Sequence, residues 1–527
     1  IDLAMLVVAA DEGFMPQTVE HLGILQLLGI RDGVVVITKC DMAEPDWIDM
    51  VQEDIAQRVK GTFLEGKPVF RVSAATGQGI PELKAALKAL VAGAAEKSLR
   101  APYRLPIDRV FSVDGFGTVV TGTLIEGAVT VGDGAEILPG GTVCRVRNLQ
   151  VHGKDVETAY AGQRVAINLA GVKKSDLARG DTIACPGSVR TALMLDVRLQ
   201  NLRESRRTIL NGSQVHFFHG SSVRLCKVVL LDRDALRPGE RCYAQLRMTE
   251  EISARPGDRF VVRFYSPLET IGGGVVLDDS PMKHKRSDPR VLEALAVKEN
   301  GSGDQKLLQT VAEQGLALPT AEQLAAKLHQ EPEELARQLQ DLCTAGKVTE
   351  PLPGRFLVSS VLDARWETCR SILEQYHRQN PLHAGMRVAE LRQKLFKNTD
   401  QTVCDAVLRE FVREGKLRAE RDRFALAEFS VHLTKRQSAL KEKLLQIYRK
   451  AGLETPGLDE VYAGFAPNEL TDCKQVVESL VSGGELVMLT PQICIHRQVY
   501  DDIVEKTRTH FAEKDELTLA EFRDLLD

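Results

Sequence analysis

Thr38-Lys39-Cys40-Asp41 closes the apolar run Gly33 to Thr38 (GVVVIT), and about thirty residues later Ser73-Ala74-Ala75-Thr76-Gly77 closes a second run, Val69 to Ala74 (VFRVSA). A carboxylate at the carboxyl end of a strand can accept hydrogen bonds from both the N1 hydrogen and the 2-amino group of guanine. Adenine offers neither donor, so the acceptor facing it is left unpaired. The lysine stem before that carboxylate can lie along a base face, and a Ser-Ala backbone amide can donate to guanine O6. A bare T-K-x-D is ordinarily a solvated loop. Two such motifs in this order, each ending a strand, point instead to a guanine-reading site. Its candidate residues are Thr38, Lys39, Asp41, Ser73 and Ala74.

These motifs need strands to hold them, and the chain supplies the pattern. Leu3 to Ala9, Gly33 to Thr38 and Val69 to Ala74 are continuous and β-branched, as buried strands are. Helical stretches Gln17 to Leu28, Asp46 to Val59 and Pro81 to Leu90 alternate with them, which predicts a parallel sheet with ligands at the carboxyl strand ends. From Tyr103 to about Asp279 the helical period gives way to short strands between Gly, Asp and Pro turns, the pattern of two antiparallel barrels with a junction near Cys185 to Arg190. A basic linker, Lys283 to Pro289, follows. Beyond it three segments each run an amphipathic helix into a glycine step and a short strand. Their glycines, Gly346, Gly415 and Gly484, are spaced by 69 and 69 residues, and an earlier helix precedes each, so the repeat describes tandem winged helices. A fourth unit has begun at Thr518 to Leu526.

Composition agrees with a multidomain chain. Its 527 residues suit several domains, and 27% charged residues with no long apolar run exclude a membrane span. Ten cysteines with no C-x-x-C pair suggest neither zinc nor disulfides and fit a reducing, cytoplasmic setting. Ile1 opens directly into a strand without an initiator methionine, so a truncated chain is expected. His216 and His219, three apart in a strand, point to opposite faces, so no metal site is expected there. Gly272-Gly273-Gly274 has no helix after it and reads as a close backbone packing site.

The paired motifs and the run VVAADEGFMPQTVEHLGIL resemble translational GTPases, in the C-terminal half of their GTP-binding domain. That family usually has Asn where this chain has Thr38, and the threonine hydroxyl is expected to brace the loop in its place. Leu105 to Leu124, Ala161 to Leu169 and Ser266 to Asp278, together with the winged-helix repeat, narrow the resemblance to bacterial selenocysteine-specific elongation factors. It implies the C-terminal half of an α/β P-loop GTPase domain (1–97), β-barrels over 100–186 and 188–282, winged helices over 288–360, 362–428 and 432–497, and an incomplete fourth over 498–527. It also implies GTP and Mg2+ as cofactors. The implied partners are selenocysteinyl-tRNA, the ribosome and the selenocysteine insertion hairpin of the mRNA, engaged at UGA codons by a cytoplasmic monomer with no membrane association.

No G-x-x-x-x-G-K-[ST] loop and no D-x-x-G-H segment occurs in the 527 residues, so this polypeptide alone is not expected to hydrolyse GTP. The alternative is a nucleotide-independent RNA-binding or interaction scaffold with a vestigial half-domain. By resemblance the aminoacyl pocket falls on Asp108, Arg109 and Arg164. A selenol is largely anionic at neutral pH, so two guanidiniums can separate it from neutral serine by charge. Residues 283–527 carry 35 Lys+Arg against 39 Asp+Glu, so RNA binding must rest on local patches. These are Lys283 to Arg290 and the helix face with Lys435, Arg436, Lys441 and Lys443.

Overall fold

Gly33–Thr38 (β2) is buried along almost its whole length because it lies between two parallel neighbours, Ala4–Ala9 (β1) and Val69–Arg71 (β3). The register runs from Ala4 opposite Gly33 to Ala9 opposite Thr38, and places Ile37 opposite Arg71. The computed structural model describes every residue except 95, 96, 114–116, 267, 421, 515 and 527. Asp114, Gly115, Phe116 and Pro267, which fall in segments carrying the resemblance, therefore lie outside the described residues.

Pro16–Leu27 (α1), Pro45–Arg58 (α2) and Ile80–Ala92 (α3) cover the sheet. Leu6, Val8 and Ile37 pack with Ile48, Val51 and Ile55 of α2 on one face, while Val34, Val36 and Val72 pack with Leu83, Leu87 and Leu90 of α3 on the other. β1 departs from the expected fully buried strand. Met5 and Val7 are 50% and 47% exposed, because the α3 cluster covers β2 and β3 and does not extend over β1.

The next two modules are antiparallel. In the first, Arg104–Val113 (β4) and Gly117–Thr123 (β5) belong to a seven-stranded sheet closed by pairing of Arg164–Ala170 with Thr142–Val151. In the second, six strands from Thr191 to Asp278 close a barrel around Phe217 and Phe260, whose rings stack at 5.0 Å. The three glycines Gly272, Gly273 and Gly274 sit where an added Cβ would strike the backbone of Gln200, Phe260 and Arg198, which accounts for the run as close packing.

The basic stretch Lys283 to Pro289 is not a free linker. His284 Nε2 lies 2.5 Å from buried Asp196, Arg286 donates to the carbonyls of Leu230 and Arg233 and to Asp234, and the Ser287 N–H donates to Leu231. The Asp196 carboxylate raises the His284 pKa. Pro289–Asn300 (α4) follows directly and packs Leu295 against Leu231 and Leu277 of the barrel, so this helix belongs with the barrel rather than with a winged helix. The chain forms two compact units, 1–309 and 310–527.

Within the second unit the 69-residue period has a conformational cause. Gly346, Gly415 and Gly484 each end a helix (Pro332–Thr344, Gln401–Arg413 and Leu470–Ser482) with φ of 69, 71 and 74°. At each, the following N–H returns to a carbonyl in the last helical turn: Lys347 to Leu342, Lys416 to Phe411 and Glu485 to Leu480. This left-handed C-terminal motif needs glycine and turns the chain into the hairpin. The helix Lys435–Ala451 starts in a capping box between Thr434 and Gln437. Thr434→Ala is expected to cost about 1 kcal/mol. Amide hydrogen exchange should show that loss in the first turn of this helix and leave Gln401–Arg413 unaffected.

Candidate nucleotide and aminoacyl sites

The strand ends of the first sheet bring the guanine candidates together. Lys39 adopts a left-handed conformation (φ 58°) that turns the chain out of β2 into the short 3-10 turn Cys40–Met42. The turn is held by backbone and thiol: Cys40 N–H donates to Val72 O at 3.2 Å, and Cys40 Sγ lies 3.3 Å from Ile37 O. The Thr38 hydroxyl has no hydrogen-bond partner among the described residues, so the bracing expected of it is carried instead by Cys40.

Lys39 Nζ reaches across to the end of β1, 2.9 Å from Asp11 and 3.6 Å from Glu12. That hydrogen bond holds the Asp11 carboxyl below the usual carboxylate range and pushes the Lys39 ammonium up. The stem expected to lie along a base is thus pinned between the ends of β1 and β2. Asp41 is exposed and its carboxylate has no hydrogen bond among the described residues. Ser73 is buried, and its Oγ and carbonyl accept from the Thr76 and Gly77 amides while its own N–H donates to Gln78 O. This leaves the Ala74 and Ala75 N–H groups, unpartnered among the described residues, as the donors the loop presents.

The donor set therefore suits the base of a guanine nucleotide: a free carboxylate for two N–H groups and a free amide for O6. No group of three or more His, Cys, Asp or Glu able to hold a metal ion occurs among the described residues. His219 instead pairs with Asp258 at 2.9 Å, and His216 stacks on Tyr265.

The aminoacyl candidates converge at a bulge in β4. Ile107 faces Gly122 and Arg109 faces Thr121, so Asp108 is the extra residue. Gly122 is required beneath it, since a Cβ would lie 2.2 Å from the Pro106 carbonyl oxygen. Asp108 accepts from Thr121 Oγ1 at 2.7 Å and from the Arg164 guanidinium at 2.5 and 3.1 Å. Burial raises the Asp108 pKa, and the hydrogen bonds from Arg164 and Thr121 more than offset this, holding the carboxyl below its usual range. Arg164 is half exposed, and Arg109 is exposed with no ion pair among the described residues. Both present donors to an incoming anion. Thr121 was not visible in the sequence as a site residue; its only signal is its cross-strand position beside a bulge.

The cations on Lys435–Ala451 are divided. Arg436 donates to Asn468 O and lies 3.4 Å from Asp472, Lys441 pairs with Glu485 at 2.5 Å, and Lys443 sits 4.5 Å above the Phe465 ring. These three fasten the helix to its own winged helix. Lys435 remains in solvent, as do Arg449 and Lys450.

Four family models match the chain in order: the elongation factor Tu GTP-binding domain over residues 1–92, elongation factor Tu domain 2 over 117–184, the selenocysteine-specific elongation factor β-barrel domain over 196–283, and the elongation factor SelB winged helix over 370–426. The chain is 36% identical over 533 residues to the selenocysteine-specific elongation factor of Desulfomicrobium baculatum, spanning 100% of this chain and 83% of that protein. It is 30% identical to the Haemophilus influenzae factor, over 93% of this chain and 76% of that one. A crystal structure of the bacterial selenocysteine-specific elongation factor EF-Sec shares the fold at a TM-score of 0.64 and 21% identity, covering 100% of this chain and 83% of that one. On this ordered set of domains and this extent of identity, the chain belongs to the selenocysteine-specific elongation factors.

Proposed function

We propose that this elongation factor delivers selenocysteinyl-tRNA to the ribosome at UGA codons, in the cytoplasm and under the control of GTP, while its winged helices engage the selenocysteine insertion hairpin of the message. The observation that carries the reading is the Asp108, Thr121 and Arg164 cluster beside free Arg109. Asp108 orients the Arg164 fork and leaves it half exposed. Together with Arg109 it offers two guanidiniums to a selenolate, which a neutral serine hydroxyl cannot match. In the first domain Asp41 would accept from guanine N1–H and the 2-amino group, and the Ala74 N–H would donate to O6. GTP, when bound, supplies the γ-phosphate whose loss can be coupled to release of the tRNA. Lys435 at the start of its helix, and Arg449 and Lys450 at the other end, are the cations of that helix open to RNA phosphates.

The test compares selenocysteinyl-tRNA with seryl-tRNA. Arg109→Ala and Arg164→Ala should each weaken the first by roughly ten- to a hundredfold, the value of a hydrogen bond to a charged group of about 1.5–3 kcal/mol. Binding of seryl-tRNA should be little changed. Unaltered selenocysteinyl-tRNA affinity in both variants would sink the pocket assignment.

A further inference from the structure

A cleft of about 390 Å³ opens between the carboxyl end of α1 and the outer face of the second barrel, and four arginines line it: Arg31, Arg198, Arg241 and Arg259. The barrel register explains three of them. Arg198 lies opposite both Tyr243 and Val275, Val275 lies opposite Arg259, and Gln200 lies opposite Arg241. Alternate residues along these strands (Val197, Leu199, Cys242, Phe260) fill the barrel core, so the arginines share the outer face. Neighbouring strands are about 4.8 Å apart, which sets these cationic stems within roughly 5–10 Å of one another.

The fourth, Arg31, comes from the loop between α1 and β2. Gly273 leaves room for Leu27, whose Cδ1 would lie 3.2 Å from a Cβ at that position. The contact seats the helix end on the barrel. Arg259 then lies across Gly29, where an added Cβ would be 2.8 Å from its Cζ, and donates to Leu27 O at 3.5 Å. Burial disfavours the charge of Arg259, and Arg31 is near enough that its own charge adds to that effect.

Negative charge does not balance this cluster. Among the described lining residues Glu299 is the one carboxylate; it lies 3.6 Å from Arg198 and accepts from Tyr243 OH at 2.8 Å. Arg198 Nε is buried without a hydrogen-bond partner. Arg31 and Arg241 are exposed and form no ion pair among the described residues. Four guanidiniums facing one carboxylate in a cleft of small-ligand size form a receptor for multiply charged oxyanions, because each planar fork can grip a phosphate through two N–H groups.

We propose that this cleft binds phosphate groups, two or more at once, from an RNA backbone or a free oligophosphate. It lies apart from the guanine and aminoacyl residues and does not depend on their assignment. The full chain would be titrated with inorganic tripolyphosphate and with a short unstructured oligoribonucleotide. Wild type would be compared with Arg31→Ala/Arg259→Ala, with the rim variant Arg241→Ala, and with Arg31→Lys/Arg259→Lys, each checked by thermal melting. Tripolyphosphate binding should fall about tenfold or more in the double alanine variant, the equivalent of about 1.4 kcal/mol, and less in the other two. If RNA affinity falls in parallel, tripolyphosphate displaces the RNA and the salt slope shrinks by about one per lost phosphate contact, the ligand is a nucleic-acid backbone. If only tripolyphosphate binding falls, the ligand is a free oligophosphate. Failure of both probes to bind wild type, or unchanged binding of both in every folded variant, overturns the proposal.

Discussion

Asp41→Asn should lower affinity for GTP by about sixtyfold to about twenty-thousandfold and raise affinity for xanthosine triphosphate. The carboxylate is exposed and without a hydrogen-bond partner among the described residues, so it is available to a base. It can accept from guanine N1–H and the 2-amino group together. An asparagine amide keeps one acceptor and turns its NH2 toward the guanine 2-amino group, where donor faces donor. Losing one charge-assisted hydrogen bond costs about 1.5–3 kcal/mol, and leaving the opposing donor unpaired adds about 1–3 kcal/mol. At 1.4 kcal/mol per tenfold, these terms give the stated range. Xanthine replaces the 2-amino group with a carbonyl oxygen, which the Asn NH2 can satisfy. Competition titration of the two nucleotides against wild type and variant measures the ratio. A variant that still prefers GTP by the wild-type factor would show that Asp41 does not read the base, whatever the absolute affinities.

Which features were readable in advance follows the range of the interactions involved. The parallel sheet and the recurring glycine steps are local: a continuous β-branched run marks β2, and one glycine at each helix end imposes the turn into the hairpin. Asp41 and Ala74 could be placed at strand ends from sequence because each falls three residues past a strand. What remained hidden depends on residues far apart in the chain. The anchor of Lys39 is 28 residues away on Asp11, so the lysine stem could be named but not its hold. Thr121 reaches Asp108 only through the β4 bulge, a register shift that composition does not announce. On Lys435–Ala451 the charge pattern shows a basic face but not that Lys441 faces Glu485, 44 residues on, or that Lys443 lies over Phe465. The stretch from Lys283 resembled a linker because its charges were countable, whereas its attachment runs through the carbonyls of Leu230 and Arg233 and through buried Asp196.

A second large effect is expected where the two barrels meet. Arg104, 2% exposed at the start of β4, grips Asp258 with both terminal nitrogens at 2.6 and 2.7 Å and contacts Glu126 at 2.8 Å. Glu126 in turn accepts from Arg255 at 2.7 Å, and Asp258 also meets His219 at 2.9 Å and the Arg255 N–H at 2.9 Å. Removing one member of such a buried network strands the others, at a cost of about 3–5 kcal/mol. Arg104→Met, which keeps the aliphatic stem, should therefore destabilise the 1–309 unit by that amount in denaturant unfolding. Combining it with Asp258→Leu should cost less than the sum of the two single changes, because the double variant leaves no lone charge on that contact. The same carboxylate sets an acid dependence. Burial raises the Asp258 pKa, but the hydrogen bonds from Arg104 and His219 outweigh it and hold the group far below the usual carboxylate range. A group whose folded value lies below its unfolded value, about 3.9 for Asp, stabilises fully above the unfolded value and loses that contribution as pH falls toward the folded one. Wild-type stability should therefore drop more steeply below about pH 4 than that of Asp258→Asn, which has no such proton to take up. Parallel acid profiles for the two proteins, or an Arg104→Met cost below about 1 kcal/mol, as for an exposed pair, would show that the bridge contributes little to joining the barrels.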